Sequence, residues 1–192
     1  FLFDDRGADT VSGLERTLNG AGSISSDPIG DALYPMDPVY GGNAADIAEF
    51  RIKPLSNALV YRITLTTAKV ADAAIVGIGI DTNKQDQSLR AWPRGAGIQT
   101  SGLDFFITAW GTGGSILNYK TGEEITLRNG DVVMDTESNQ MTITVPHSIM
   151  NPGVETWRYV SGVGLHDGKG NWLQMLSSAT PTETAPASGS NS

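Results

Sequence analysis

Cysteine is absent from the 192 residues of this sequence, and only two histidines occur. Without thiols the chain has no disulfide framework, thiolate metal site or cysteine nucleophile. His147 and His166 stand far apart, without the close spacing of a zinc hydrolase motif. No G-x-S-x-G nucleophile sequence is present either. These absences argue against an independent hydrolase.

Basic residues and long apolar runs are also scarce. The chain has 13 Lys and Arg against 21 Asp and Glu, for a net charge of −8. A nucleic-acid partner would require a basic surface, so none is expected. The longest strongly apolar stretch, residues 71–80, contains Asp72 and has about half the length of a membrane span. The sequence therefore predicts no membrane span.

Glycine is plentiful, with 23 residues, and hydrophobic residues make up 39% of the chain. From residue 47 onward apolar residues recur with a period of two, which is typical of strands. Turn signals such as Asn129-Gly130 and Asp167-Gly168 separate these segments. The predicted strands lie at 47–53, 58–66, 73–81, 103–110, 123–130, 131–136, 140–145 and 156–165. The prediction is an all-β, two-sheet antiparallel β-sandwich, with 146–150 as the best short helical candidate.

The two ends of the chain differ from this middle part. Residues 1–46 hold eight acidic residues against two arginines, and many Pro and Gly residues favour an irregular strap, with one short helix predicted at 9–19. Residues 177–192 are rich in Ser, Thr, Pro and Ala and contain no large apolar residue, which predicts a disordered tail or linker. We thus expect one module over 1–176, consisting of the strap and the strands of 47–176.

Four aspartates crowd into twenty residues of the strap without a basic neighbour: Asp27, Asp31, Asp37 and Asp46. Crowded carboxylates repel one another unless a cation or water separates them. Calcium takes 6 to 8 oxygen ligands from flexible loops of this kind. The alternative is that Asp27 and Asp37, each followed by proline, form turns or caps in a solvated loop.

Two strings in the chain resemble the glucodextranase C-terminal-like domain family: DPIGDALYPMDPVY with ADIAEFRI downstream, and VPHSIMNPGVETWRYVSGVGLHDGKG. The resemblance spans residues 27–172. It implies a DOMON-like, jelly-roll-like sandwich related in shape to family 9 carbohydrate-binding modules. Such domains are secreted or surface-attached, usually non-catalytic, often calcium-stabilised, and appended to polysaccharide-degrading enzymes.

The resemblance also implies a metal set, because Asp27, Asp31 and Asp46 match the acidic positions of the family motif. Calcium is the cofactor this implies. Between the GD and YP pairs only Ala32 and Leu33 stand here, where members carry a longer glycine-containing insert. This chain therefore offers fewer oxygen ligands than its relatives.

Carbohydrate binding needs flat apolar faces with polar groups at their edges. Trp92 lies in the loop RAWPRGAG beside Arg94, and Trp110 ends a strand before the loop GTGG. Trp92, Trp110 and Arg94 are therefore the candidate ligand-binding residues, with structural packing as the alternative for the two tryptophans. Trp157 and Trp172 are predicted to lie in the core.

Two functions follow from these patterns. The first is a secreted, non-catalytic module that binds a polysaccharide or oligosaccharide and stands beside a catalytic domain. The second is a structural or interaction domain that packs on a neighbouring hydrolase or mediates surface attachment. An exposed Trp92 beside a concave polar surface favours the first function, and a buried Trp92 favours the second.

Overall fold

The computed structural model describes residues 34–42, 44–83, 85–111, 113–128, 130–153 and 155–174, together with the strand backbone at 3–6, 16–17 and 23–24. The predictions for the tail at 177–192 and for Asp27 and Asp31 lie outside these residues. Much of the predicted helix at 9–19 lies outside them too. At its end, however, residues 16–17 pair with 23–24 as strands, so the helix is wrong there.

Strands dominate the described residues, which contain only one short helix, a 3-10 turn at Pro38–Tyr40. In chain order the strands are β1 (Phe3–Arg6), β2 (Arg16–Thr17), β3 (Ser23–Ile24), β4 (Ile47–Pro54), β5 (Ala58–Leu65), β6 (Ala74–Asp81), β7 (Leu89–Ala91), β8 (Gln99–Ser101), β9 (Phe105–Trp110), β10 (Gly113–Asn118), β11 (Glu124–Leu127), β12 (Val132–Asp135), β13 (Gln140–Pro146) and β14 (Arg158–Leu165).

These strands form two five-stranded antiparallel sheets. The first has the order β1-β4-β5-β13-β12, and the second has the order β11-β10-β9-β6-β14. Two small ribbons, β2-β3 and β7-β8, complete the set. The prediction of an all-β, two-sheet antiparallel sandwich is confirmed.

The core lies between the two sheets and follows from the alternation of side chains along the strands. In β5, for example, Tyr61 and Ile63 are buried while Arg62 between them is half-exposed. The second sheet supplies Val76, Ile78 and other residues to the same cluster. Because successive side chains of a strand point to opposite faces, this alternation predicts one buried and one solvated face for β5.

Strand β6 departs from this alternation because all eight of its residues are buried. Val76 and Ile78 face the core between the sheets, whereas Ile75 belongs to a second apolar cluster. That second cluster lies on the outer face of the second sheet. The β7-β8 hairpin covers this cluster together with the segment 166–174. We call the segment 166–174 the cap.

The main strand predictions are confirmed, but several further strands lie in segments predicted as loops or as irregular. Strand β10 begins in the GTGG sequence that reads as a loop, and β7-β8 lies in a segment rich in Pro and Gly. Strand β1 pairs with β4 within the region predicted to be irregular. Residues 146–150 form a turn in which the amides of Ile149 and Met150 both donate to Pro146 O.

Candidate functional site

Three aromatic side chains form a layer between the cap and the second sheet, with Trp172 supplied by the cap itself: Trp92, Phe106 and Trp172. The ring centroid of Trp92 lies 4.8 Å from that of Phe106 and 6.0 Å from that of Trp172. The rings are tilted by 57° and 53°, an arrangement typical of stable aromatic clusters. This aromatic layer attaches the cap to the outer face of the second sheet.

Glycines of β6 and β14 make room for these rings. A Cβ added at Gly164 would lie 2.7 Å from Cε3 of Trp172, and one at Gly77 would lie 2.8 Å from Cζ of Phe106. At Gly162 the contact would be 3.0 Å from Cη2 of Trp92. Cβ atoms are essentially never found within 3.0 Å of a neighbouring heavy atom. Glycine at these positions therefore allows the aromatic rings to pack directly on the sheet. The alternating glycines of GIGI and SGVGL were the sequence signal for this packing.

Trp92 is only 6% exposed, as the alternative of structural packing requires. Its loop folds the ring inward onto Phe106, and Nε1 donates to Thr100 Oγ1 at 2.9 Å. Trp92 thereby joins the two strands of the hairpin to the sheet. The loop sequence could not show this, because Pro and Gly predict a turn but not the side on which a tryptophan points.

Trp110 is half-buried, and two side chains lie against its ring. The Arg94 guanidinium carbon is 4.9 Å from the ring centroid, within cation–π range. The His166 ring stacks at 5.6 Å with an interplanar angle of 20°. The structure thus brings together Trp110 and Arg94, two of the three predicted ligand-binding residues, and places Trp92 in the separate aromatic layer.

Arg94 connects three parts of the molecule. Its Nε and Nη2 donate to Ser115 Oγ at 3.3 and 3.1 Å, and Nη2 also donates to Glu124 Oε1 at 2.7 Å. Nη1 donates to Gly170 O at 3.2 Å. The hydrogen bond of Ser115 and the charge of Arg94 outweigh burial and lower the pKa of Glu124. Arg94 therefore links β10, β11 and the cap at the Trp110 end of the outer face.

His166, which sequence reasoning set aside, fixes the turn of the cap. Its Nε2 accepts from the Gly170 amide at 2.8 Å, and Nδ1 lies 3.1 Å from Asp72 O. An accepting Nε2 requires the neutral ring with its proton on Nδ1. The ring thus holds the turn against β9, where it stacks on Trp110.

Asp167 stabilises the same turn from inside it. Its Oδ1 accepts from the amides of Lys169 and Asn171 at 2.7 and 2.9 Å, and Oδ2 accepts from Asn171 Nδ2 at 3.0 Å. Burial raises the pKa of Asp167, but these hydrogen bonds outweigh it and lower the pKa to about 2. The Asp167-Gly168 turn signal is confirmed.

The predicted metal ligands can be followed only in part. Asp46 Oδ1 accepts from Tyr34 Oη at 3.1 Å, and Asp37 caps the 3-10 turn by accepting from the Val39 amide at 3.0 Å. Asp27 and Asp31 lie outside the described residues, among which no group of three or more His, Asp or Glu could hold a metal ion. One carboxylate cannot form a calcium shell, so calcium stays a prediction.

Comparison with known protein families identifies a match for this chain. Residues 25–185 match the sequence model of a family described as the C-terminal binding module, SLH-like, of glucodextranase. This range covers more than half of the chain, including both sheets from β4 to β14 and the cap. No curated protein sequence matches the chain. The described residues include no helix with the length and apolarity needed to cross a membrane.

Proposed function

Because the chain belongs to the family of C-terminal, SLH-like binding modules of glucodextranase, we propose that it is a non-catalytic module that binds a polysaccharide or oligosaccharide. The observation that carries this proposal is the family match, which extends over the whole sandwich from β4 to the cap. We also propose that the sandwich is DOMON-like, that the module is secreted, and that it is linked to a polymer-degrading catalytic domain.

Trp110 and Arg94 are the residues we propose to contact the sugar. The part of the indole that Arg94 and His166 leave exposed offers an apolar surface for the C–H side of a pyranose ring. Glu124 lies nearby with about half of its side chain exposed, and it offers carboxylate oxygens to sugar hydroxyls. A flat apolar group with polar groups at its edge is what carbohydrate recognition requires.

One observation favours the second function, a structural or interaction domain. Trp92 is buried, and burial of this residue was the feature that separates the two hypotheses. The hairpin that it anchors exposes two large apolar side chains, Leu89 and Ile98. Such residues suit contact with a neighbouring hydrolase better than contact with a polar sugar.

Isothermal titration against α-glucans and cell-wall polysaccharides tests the proposal. We expect the intact protein to bind at least one of these polymers, Trp110→Ala to weaken binding more than tenfold, and Leu89→Ala to leave it unchanged. Thermal unfolding of each variant controls for loss of fold. If the folded protein binds none of the polymers, the carbohydrate proposal is wrong and the interaction function is favoured.

A further inference from the structure

A groove of about 160 Å³ lies at the other end of the outer face, between the hairpin and β14. Its lining includes Asp81, Thr100, Ser101, Leu103, Arg158 and Val160. Trp110 pairs with Ile75 near the start of β6, whereas Asp81 ends that strand. Six residues of strand separate these positions by about 20 Å, so the groove is distinct from the Trp110 end.

A buried carboxylate and a half-exposed guanidinium meet in this groove. Asp81 is 4% exposed and forms an ion pair with Nη2 of Arg158, half of whose side chain is exposed. Asp81 Oδ1 also accepts from the Asn83 amide at 3.1 Å. Among the described residues the Arg158 guanidinium hydrogen-bonds only to Asp81. A ligand in the groove would thus meet unused guanidinium donors, held in place by the buried carboxylate.

The hairpin adds hydroxyl groups to the same groove. Thr100 Oγ1 already accepts from Trp92 Nε1 at 2.9 Å. A hydroxyl carries one hydrogen and two lone pairs, so the hydroxyl hydrogen of Thr100 remains able to donate to a ligand. Ser101 is exposed at the groove and offers a second hydroxyl.

The floor of the groove is apolar. Leu103 and Val160 close over Gly79, where an added Cβ would lie 2.7 Å from Val160 Cγ1 and 2.9 Å from Leu103 Cδ2. The absence of a side chain at Gly79 therefore lets the two apolar groups meet. The volume of the groove corresponds to roughly five water molecules, which is room for about one sugar ring.

We infer that this groove binds one neutral sugar unit. Arg158 donates to one sugar hydroxyl, the hydroxyls of Thr100 and Ser101 bond to others, and the apolar floor contacts the ring. Because Asp81 neutralises the charge of Arg158, we expect the groove to take a neutral unit in preference to a uronate. The inference rests on the proposed function and adds a second subsite to it.

Amide NMR titration with D-glucose, D-galactose, D-mannose and D-xylose, and with D-glucuronate for comparison, tests this inference. We expect at least one neutral sugar to shift the amides of Thr100, Ser101 and Arg158, and glucuronate to cause no such shifts. The double variant Asp81→Asn with Arg158→Gln removes both charges together, and we expect it to weaken binding at least tenfold. Arg128→Gln, which removes an exposed arginine elsewhere, should leave binding unchanged.

A second variant guards against loss of fold in the double variant. Ser101→Tyr fills the groove from an exposed position and should abolish the shifts while thermal unfolding stays near that of the unchanged protein. The inference is wrong if the folded variants bind the sugar as well as the wild-type protein does. It is also wrong if glucuronate binds in place of the neutral sugars, or if none of the four neutral sugars shifts these amides. If the intact protein still binds a polysaccharide in that case, the proposed function stands, and if it binds none, both proposals fall.

Discussion

At the scale of single residues, the contact between Gly164 and Trp172 is the tightest of those on which the aromatic layer rests. A Cβ at position 164 would lie 2.7 Å from Cε3 and 2.9 Å from Cζ3 of the indole. We predict that Gly164→Ala lowers the free energy of unfolding by about 1–3 kcal/mol, because the ring must move from its place on the sheet. Chemical denaturation measures this change.

Gly41→Ala is the matched control for this substitution. Its backbone φ is −68°, an ordinary value, and the nearest atom to an added Cβ is Nζ at the flexible end of Lys69, 3.1 Å away. We expect a change within about 0.5 kcal/mol, as for surface substitutions in general. Equal losses at positions 41 and 164 would contradict the role given to Gly164.

Trp92 gives a second prediction at this scale. Trp92→Ala should lower the free energy of unfolding by about 3–5 kcal/mol, because it opens a cavity between Phe106 and Trp172. Trp92→Phe keeps a ring and loses the bond to Thr100, which should cost about 1 kcal/mol plus a smaller packing loss. Thermal and chemical unfolding measure both. A folded, fully stable Trp92→Ala protein would contradict the structural role.

Three tryptophans show where residue-level prediction ends. Trp172 was predicted to lie in the core because it follows an alternating strand, and it is 8% exposed. Trp92 lies in a loop, where no periodicity relates one side chain to the next, so its direction depends on long-range packing against β9 and β14. Trp110 was placed correctly at the end of a strand, but its contacts with Arg94 and His166 join segments distant in sequence.

At the scale of elements, the turn at Asp167 predicts a pH dependence of stability. The folded pKa of about 2 lies below the ordinary value of 3.8, so folding favours the charged carboxylate. Its contribution is therefore fully present above about pH 4 and is lost as the pH falls from 4 to 2. We predict that the wild-type protein has a higher thermal unfolding midpoint than Asp167→Asn at pH 6. The difference between the two midpoints should narrow by pH 2.

Comparison with a second aspartate in a turn controls for general acid effects. Asp131 accepts from the Arg128 amide at 2.7 Å in another turn and is remote from the cap in sequence. In a protein that already carries Asp131→Asn, the substitution Asp167→Asn should change the thermal unfolding midpoint by the same pH-dependent amount as in the wild-type protein, because distant sites contribute additively. A gap between the unchanged protein and Asp167→Asn that stays constant down to pH 2 would contradict the prediction.

Elements were predicted well where composition and period agree. Strand β6 was recognised although both of its faces are buried, because a short run of Ile and Val between turn signals is typical of a covered strand. Strand β10 was missed because Gly113 and Gly114 are poor strand formers in isolation. Their place is set by close contacts: Cβ atoms there would meet the Trp110 ring at 3.0 Å and Thr108 O at 2.6 Å.

At the scale of the whole molecule, the outer face of the second sheet is the surface on which both proposals meet. Its two ends differ in chemistry: Trp110 and Arg94 lie at one end, and the Asp81–Arg158 pair lies at the other. The aromatic layer between them is buried under the cap. A polymer long enough to span about 20 Å could therefore engage both ends, which would raise its affinity above that of a single sugar unit.

The last prediction concerns the strap, because calcium bound by its aspartates would stabilise the whole protein. Asp46 immediately precedes β4, and its carboxylate is already engaged by Tyr34, so an ion bound there would join the strap to the first sheet. We predict that calcium at 100 times its dissociation constant stabilises the protein by about 2.7 kcal/mol relative to excess chelator. Asp27→Asn combined with Asp31→Asn should abolish this gain, whereas Glu155→Gln, an exposed control, should retain it. Identical unfolding midpoints in calcium and in chelator would leave Asp27, Asp31 and Asp46 as loop-forming residues without a metal.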